Sequence, residues 1–156
     1  MRDFSFALLL FALIGTPILL FISLRSSRQL YRKNLYRFYS EYLNQFEGKN
    51  FFCYNNTGNT KEFIENNILP SLPKDIEIIF LNGKTIETNY STKFISHILY
   101  NLKQYHKFPH LIKIRNKKIL DHSINNTFYN IFHQNLPLDK FFNEMNIFFD
   151  LEGNNS

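Results

Sequence analysis

The chain has 156 residues, a formal net charge of +5, one cysteine and an aromatic content of 17%. That length suits one domain of roughly 100 residues with an appendage, and the supply of aromatic residues excludes a chain that is disordered throughout. The single cysteine excludes an intramolecular disulfide framework.

The excess positive charge is confined to the N-terminal region. Six of the 18 basic residues precede Phe38, together with one of the 13 acidic residues, so 12 of each remain from Phe38 onward. A nucleic-acid-binding domain carries its basic excess on the folded part of the chain. The neutral remainder therefore predicts no nucleic-acid partner.

An uncharged apolar stretch runs from Phe4 to Leu24. At about 1.5 Å per residue it matches a hydrocarbon core of roughly 30 Å, and the Pro17 inside it is tolerated in membrane helices. The competing interpretation is a cleaved signal peptide, but the stretch is long for one and no A-x-A-like site follows. We predict that residues 1–24 form an uncleaved transmembrane anchor in the lipid bilayer.

The residues after this stretch indicate its orientation. The segment from Arg25 to Arg37 carries five basic residues and no acidic one. The positive-inside rule therefore places the C-terminal domain of this single-pass protein in the cytoplasm. The lone Cys53 agrees with a reducing compartment.

Residues 25–48 read as a basic and aromatic juxtamembrane helix, because Tyr31, Leu35, Phe38 and Tyr42 recur at spacings of four, three and four. Two interpretations remain open for this stripe. In the first, the stripe is a surface for self-association, for a protein partner or for anionic lipid. In the second, it is the surface of a stalk that packs on its own domain.

Residues 49–150 form the folded domain, and residues 151–156 are predicted to be a disordered tail. We expect strands in "NFFCYN", "DIEIIFLNG", "FPHLIKIRN" and "KKILDHS", and helices in "NTKEFIENNIL", "STKFISHILYNL", "NNTFYNIFHQN" and "LDKFFNEMNIFF". Asn59 and Glu62 have the spacing of a capping box, and Ser91 precedes the second helix as a cap. The first two strands predict a parallel crossover, and Asn116 with Lys117 predicts a tight hairpin.

The stretch "FPHLIKIRNKKIL" (Phe108 to Leu120) places a proline before the third strand, and a two-strand hairpin follows. In this order of elements the chain resembles the thioredoxin-like fold over about residues 49–135. The resemblance implies an α/β fold with a small mixed sheet flanked by helices. It also implies that Pro109 is a cis-proline that faces the position of the active site.

The chain departs from that family at the junction between the first strand and its helix. Thioredoxin-like oxidoreductases carry a C-x-x-C motif there, whereas Asn55 to Thr60 contains no cysteine and Cys53 lies within the preceding strand. A dithiol mechanism is therefore excluded, and a monothiol mechanism needs an exposed Cys53 near a positive charge. Cys53 and Pro109 are our candidates for a cleft.

The same junction also resembles the phosphate loop of flavodoxins. "TGNT" supplies Thr57, Gly58, Asn59 and Thr60 between a strand and a helix, and hydroxyls and backbone N–H groups at a helix start bind phosphate. That resemblance implies contacts to the phosphate of FMN. The alternative is that these residues only turn the chain and cap the helix.

No other residue pattern predicts catalysis or a metal. Pro109 prevents one helix from presenting His106 and His110 together, and Asp121, His122 and Ser123 are adjacent on a strand and point alternately to opposite faces. We therefore expect no metal, no resident cofactor and no catalytic set. The leading hypothesis is a membrane-anchored, redox-inactive interaction or regulatory module.

Overall fold

The computed structural model describes residues 21, 23–31, 33–34, 37–103 and 107–151. The chain divides into two compact units, Met1–Glu41 and Tyr42–Ser156. In the first unit the described residues are helical, and Arg37 Nε lies 3.7 Å from a carboxylate oxygen of Glu41 one turn later.

The predicted anchor, Phe4 to Leu24, lies outside the described residues except for Phe21, Ser23 and Leu24. Among the residues that are described, no helix combines the length and the apolar character that crossing a membrane requires.

The second unit is a mixed α/β domain. Its strands are β1 (Asn50–Asn55), β2 (Ile76–Asn82), β3 (Thr85–Glu87), β4 (His110–Arg115) and β5 (Lys118–Ser123). Its helices are α1 (Thr60–Phe63, continued by a π-helical turn, Ile64–Ile68, and a 3₁₀ turn, Leu69–Ser71), α2 (Thr92–Tyr100), α3 (Asn125–Gln134) and α4 (Asp139–Phe149).

The strands form one five-stranded mixed sheet in the order β3-β2-β1-β4-β5. Strand β1 is parallel to β2 and antiparallel to β4, so the predicted parallel crossover is confirmed. The predicted tight hairpin between β4 and β5 is also confirmed, since Arg115 pairs with Lys118 across the two residues Asn116 and Lys117. Both turn residues have positive φ, as a two-residue hairpin turn of this type requires.

Three local predictions were wrong. The sequence predicted four strands, but Thr85–Glu87 folds back on the end of β2 as a fifth. This strand is three residues long and has no apolar run, so its pairing depends on the backbone of β2. Asn59 and Ser91 do precede helices, yet neither side chain makes a capping hydrogen bond. Backbone carbonyls accept hydrogen bonds from the first turn instead. The carbonyl of Ser91, for example, accepts from the N–H groups of Phe94 and Ile95.

One face of the sheet is covered by α1, α3 and α4. Side chains of alternate strand residues, such as Phe52 of β1 and Leu111 of β4, point to this face and join one buried cluster with the helices. Phe52 meets Phe141 of α4 edge to face at 6.1 Å between ring centroids. Helix α4 therefore packs over this face of the sheet.

The opposite face is covered by α2 and the chain that leads into β1. Phe94 of α2 stacks on Phe46 at 5.0 Å and on Tyr42 at 5.0 Å, and Phe46 contacts Phe51 of β1. Helix α2 turns an apolar stripe to this face, since Phe94, Ile95, Ile98 and Leu99 are all buried. Cys53, two residues after Phe51, shares this face.

Candidate functional site

The loop that links β1 to α1 lies at the carboxyl end of β1, at the same edge of the sheet as the end of the parallel strand β2. The backbone N–H of Asn56 donates to the carbonyl of Leu81 at 3.1 Å, which extends the strand pairing by one residue. Thr57, Gly58 and Asn59 are exposed, and Gly58 has a φ of +53°, a conformation that glycine adopts without a steric cost. The loop is thus a fixed turn with an exposed tip.

Thr60, the last residue of the predicted anion site, is buried and turned back on the loop. Its hydroxyl donates to the carbonyl of Thr57, and its backbone N–H lies 3.3 Å from the same oxygen. The Thr60 hydroxyl therefore already donates its proton within the turn, so it is not available to a phosphate oxygen. Phosphate binding by Thr57 to Thr60 stays a prediction, with Thr57 and Asn59 as its exposed side chains.

Sequence reasoning missed a chain of polar side chains beside this loop. The amide of Asn56 donates to Asn82 Oδ1 at 2.8 Å, and the amide of Asn82 donates to Glu87 at 3.1 Å. These contacts join the ends of β1 and β2 to β3. No sequence signal pointed to them, because they depend on the unpredicted strand β3.

Cys53 lies inside the sheet, with β2 on one side and β4 on the other. Its register partners are Ile79 and His110, and its side chain is completely buried. Burial raises the pKa of this thiol far above its ordinary range, because the interior does not solvate a thiolate. The thiol therefore has the surroundings of a core side chain, as expected for a residue within the strand.

Pro109 precedes β4 at the edge where the β1 loop lies. Because Cys53 pairs with His110 in an antiparallel register, Pro109 lies next to the last residues of β1. The Phe108–Pro109 peptide bond is cis, as the resemblance implied, and both residues are buried. The carbonyl of Phe108 accepts a hydrogen bond from the side-chain amide of Asn125 at the start of α3.

A buried His–Asp pair lies beside the proline and was not predicted. His110 is fully buried, with Nε2 at 3.1 Å from Asp121 Oδ2 and Nδ1 at 3.1 Å from the carbonyl oxygen of Lys107. The imidazole ring therefore lies between two oxygen atoms, each within hydrogen-bond distance of one ring nitrogen.

The predicted hairpin contained the signal that locates this pair. A two-residue turn at Asn116 and Lys117 sets Ile112 opposite Asp121 and His110 opposite Ser123. His110 and Asp121 are then diagonal neighbours on one face of the sheet. Position along the sequence alone gave no such indication, because the two residues are 11 positions apart.

The His–Asp pair anchors the segment that leads into β4. The backbone N–H of Lys103 donates to Asp121 Oδ2 at 3.1 Å, and the hydroxyl of Ser123 donates to the carbonyl of Lys107 at 2.9 Å. Asp121 and Ser123 therefore position the chain on both sides of residues 104–106. These three residues, which include His106, lie outside the described residues.

His122 points to the other face of the sheet, which confirms that Asp121, His122 and Ser123 form no relay. Its Nε2 lies 2.8 Å from Glu144 of α4, and the second oxygen of that carboxylate accepts from the hydroxyl of Thr127. The Glu144 carboxylate lies between His122 and the Thr127 hydroxyl. A nucleophilic mechanism needs a histidine that takes the proton from the hydroxyl directly, and His122 does not contact it.

Within the part of the chain that the structure describes, no three His, Cys, Asp or Glu side chains form a group suited to a metal ion. Comparison with protein-family models, with curated proteins and with solved structures gives no match to this chain.

Proposed function

We propose that this chain is a membrane-anchored, thioredoxin-like domain without redox chemistry, which acts as an interaction or regulatory module. The observation that carries this proposal is the state of Cys53. The only thiol of the chain is buried in the middle strand of the sheet, with a raised pKa. Thiolate is the form that reacts with disulfides, so this residue is poorly suited to exchange.

The order and direction of the elements support the thioredoxin-like part of the proposal. Two parallel strands are joined through a helix, a second helix follows, and a proline then introduces an antiparallel hairpin that ends in a third helix. The loop at the carboxyl end of β1 occupies the position that a C-x-x-C motif has in that family, and it carries Asn, Thr and Gly instead.

The sequence supports the membrane anchor and its orientation. The apolar stretch from Phe4 to Leu24 and the five basic residues from Arg25 to Arg37 favour a single span with the folded domain in the cytoplasm. A partner then meets this domain at the cytoplasmic surface of the bilayer.

An assay of disulfide reduction, together with an absorbance spectrum of the full-length chain purified in detergent, tests the proposal. We expect no turnover above that of a Cys53→Ala variant and no flavin bands. Turnover that disappears in the variant would establish a monothiol enzyme. A bound flavin lost on substitution of Thr57 would establish the FMN-binding alternative.

A further inference from the structure

The free edge of the sheet at β5 offers unpaired backbone groups. The N–H and C=O of Ile114 bond to Lys49 and Gly48 on the β1 side, both at 3.0 Å. Its neighbours in β4 therefore turn their backbone groups toward β5, where Arg115 pairs with Lys118 and Lys113 with Leu120.

The intervening residues of β5, namely Ile119, Asp121 and Ser123, consequently direct their backbone N–H and C=O groups away from β4. Within the described part of the chain, β5 is the last strand of the sheet on this side, and these groups make no hydrogen bond to another described residue. An extended segment that adds to the sheet uses such groups first.

A groove lies along α4 where this helix meets His122 of β5. Its volume is about 480 Å³, and it is lined by His122, Lys140, Asn143, Glu144, Ile147 and Phe148. Ile147 is 70% exposed, and Leu120 beside His122 on the same face of β5 is 41% exposed. The groove thus offers an apolar surface to alternate side chains of an added strand.

Exposed lysines lie on the β4–β5 hairpin and on α4. Lys117, Lys118 and Lys140 are exposed, and none of them has an ion-pair partner among the described residues. The carboxylate of Glu144 is already engaged by His122 and Thr127, and Asp121 points to the other face. An incoming acidic side chain therefore meets lysines that are not neutralised.

We propose that the β5 edge and its groove bind an extended segment of a partner protein in which apolar residues alternate with acidic ones. The segment adds to β5 as a further strand, places an apolar side chain against Ile147 and Phe148, and directs acidic side chains to Lys118 and Lys140. This inference deepens the proposed function, on which it rests, by naming the surface and the chemistry of the partner.

Binding of two labelled synthetic peptides to the full-length chain in detergent tests the proposal by fluorescence anisotropy. One peptide alternates Leu with Glu, and the other alternates Leu with Lys. We expect the acidic peptide to bind at least about tenfold more tightly than the basic one, a difference of about 1.4 kcal/mol, and to bind more weakly at high salt.

Two variants locate the binding. Ile119→Pro removes an outward N–H while leaving the bonds to β4 in place, as proline does on edge strands. Ile147→Glu alters the exposed groove wall and keeps the test decisive if the proline variant does not fold. Each variant is expected to lower the affinity for the acidic peptide by about tenfold or more. Lys140→Glu should do the same, whereas Lys84→Glu, on the turn between β2 and β3, is the matched control and should have no effect.

Equal binding of the two peptides, no binding of either, or binding that the variants leave unchanged would overturn the proposal. Self-association of the chain that Ile119→Pro abolishes, without peptide binding, would overturn it in favour of a second copy. These results leave the proposed redox-inactive role standing. Cys53-dependent turnover overturns that role and is measured independently of any peptide.

Discussion

At the residue scale, the most informative side chains are Cys53 and His110, which are neighbours across β1 and β4 in the interior of the sheet. No hydrogen bond joins the Cys53 thiol to another described residue, whereas each ring nitrogen of His110 lies 3.1 Å from an oxygen atom. Burial therefore suppresses the chemistry of the first side chain and fixes the orientation of the second.

The His110–Asp121 pair is buried, with its carboxylate only 8% exposed. Asp121→Asn replaces a carboxylate whose Oδ2 contacts both His110 Nε2 and the Lys103 N–H, and we expect the free energy of unfolding to fall by about 2 kcal/mol. Glu144→Gln is the matched control, since this carboxylate also bonds to a histidine but is 32% exposed. It should cost less than about 1 kcal/mol.

Urea unfolding followed by circular dichroism measures both variants, because the chain has no tryptophan for fluorescence. Equal losses in the two variants would contradict the role assigned to the buried pair.

Cys53 also makes stability depend on alkaline pH. The unfolded thiol has an ordinary pKa of 9.0, and burial raises the pKa in the folded state, so only the unfolded chain releases this proton above pH 9.0. Stability is therefore complete below that value and declines above it. One pH unit above 9.0 the total loss of stability reaches about 1.4 kcal/mol.

Unfolding measured one pH unit below and one above 9.0, in the natural chain and in Cys53→Ala, isolates this effect. The natural chain should lose about 1.4 kcal/mol more than the variant. Burial also raises the pKa of Tyr54, but that contribution is common to both proteins and cancels. Parallel losses in the two proteins would show that Cys53 is ionised equally in both states.

At the scale of elements, α2 shows how an apolar stripe determines packing. Phe94 is fully buried and stacks on both Tyr42 and Phe46, while Tyr100 at the end of the same helix is 82% exposed. The helix therefore holds the chain that enters β1 against one face of the sheet, and its last residue contributes little to the core.

Phe94→Ala should lower the free energy of unfolding by about 3–5 kcal/mol, because it removes a buried ring and leaves a cavity. Tyr100→Ala, the control in the same helix, should change it by less than about 0.5 kcal/mol. Urea unfolding of the two variants provides the comparison. A loss of similar size at Tyr100 would place that ring in the core instead.

Most elements of the sheet were predictable because their residues carry a local pattern. The apolar run of β1, the stripe of α2 and the turn at Asn116 and Lys117 each signal their own conformation. Strand β3 has no such signal, since its three residues gain their structure from the backbone of β2. The capping bond expected of Asn59 failed because backbone carbonyls already close that turn.

The surroundings of the candidate site were less predictable, because they depend on strand register and helix packing. Cys53 was correctly placed within a strand, but its contact with His110 follows only from the pairing of β1 with β4. Likewise, Glu144 reaches His122 only after α4 has packed on the sheet. Residue patterns specify elements, whereas the site arises where separate elements meet.

At the scale of the whole molecule, the proposed membrane anchor precedes a domain with a neutral charge balance. The basic residues cluster between Arg25 and Arg37, where they favour the cytoplasmic surface of a bilayer. We propose that this tether raises the effective concentration of membrane-associated partners, so that modest affinity at the β5 edge suffices to recruit the domain.

The orientation predicts which side of the membrane carries the C terminus. A cysteine introduced by Ser156→Cys in the Cys53→Ala background should react with an impermeant maleimide in inverted vesicles and stay unlabelled in intact cells. Detergent-solubilised membranes, where the thiol is accessible from both sides, are the control. Labelling in intact cells would place the domain outside the cytoplasm and reverse the predicted orientation.

The central claim is that this domain has no usable thiol, and the reactivity of Cys53 tests it most directly. A small thiol reagent should leave the native full-length chain unmodified over a period in which the urea-unfolded chain reacts completely, because Cys53 is buried and its pKa is raised. Modification of the native chain at a rate close to that of the unfolded chain would contradict the claim.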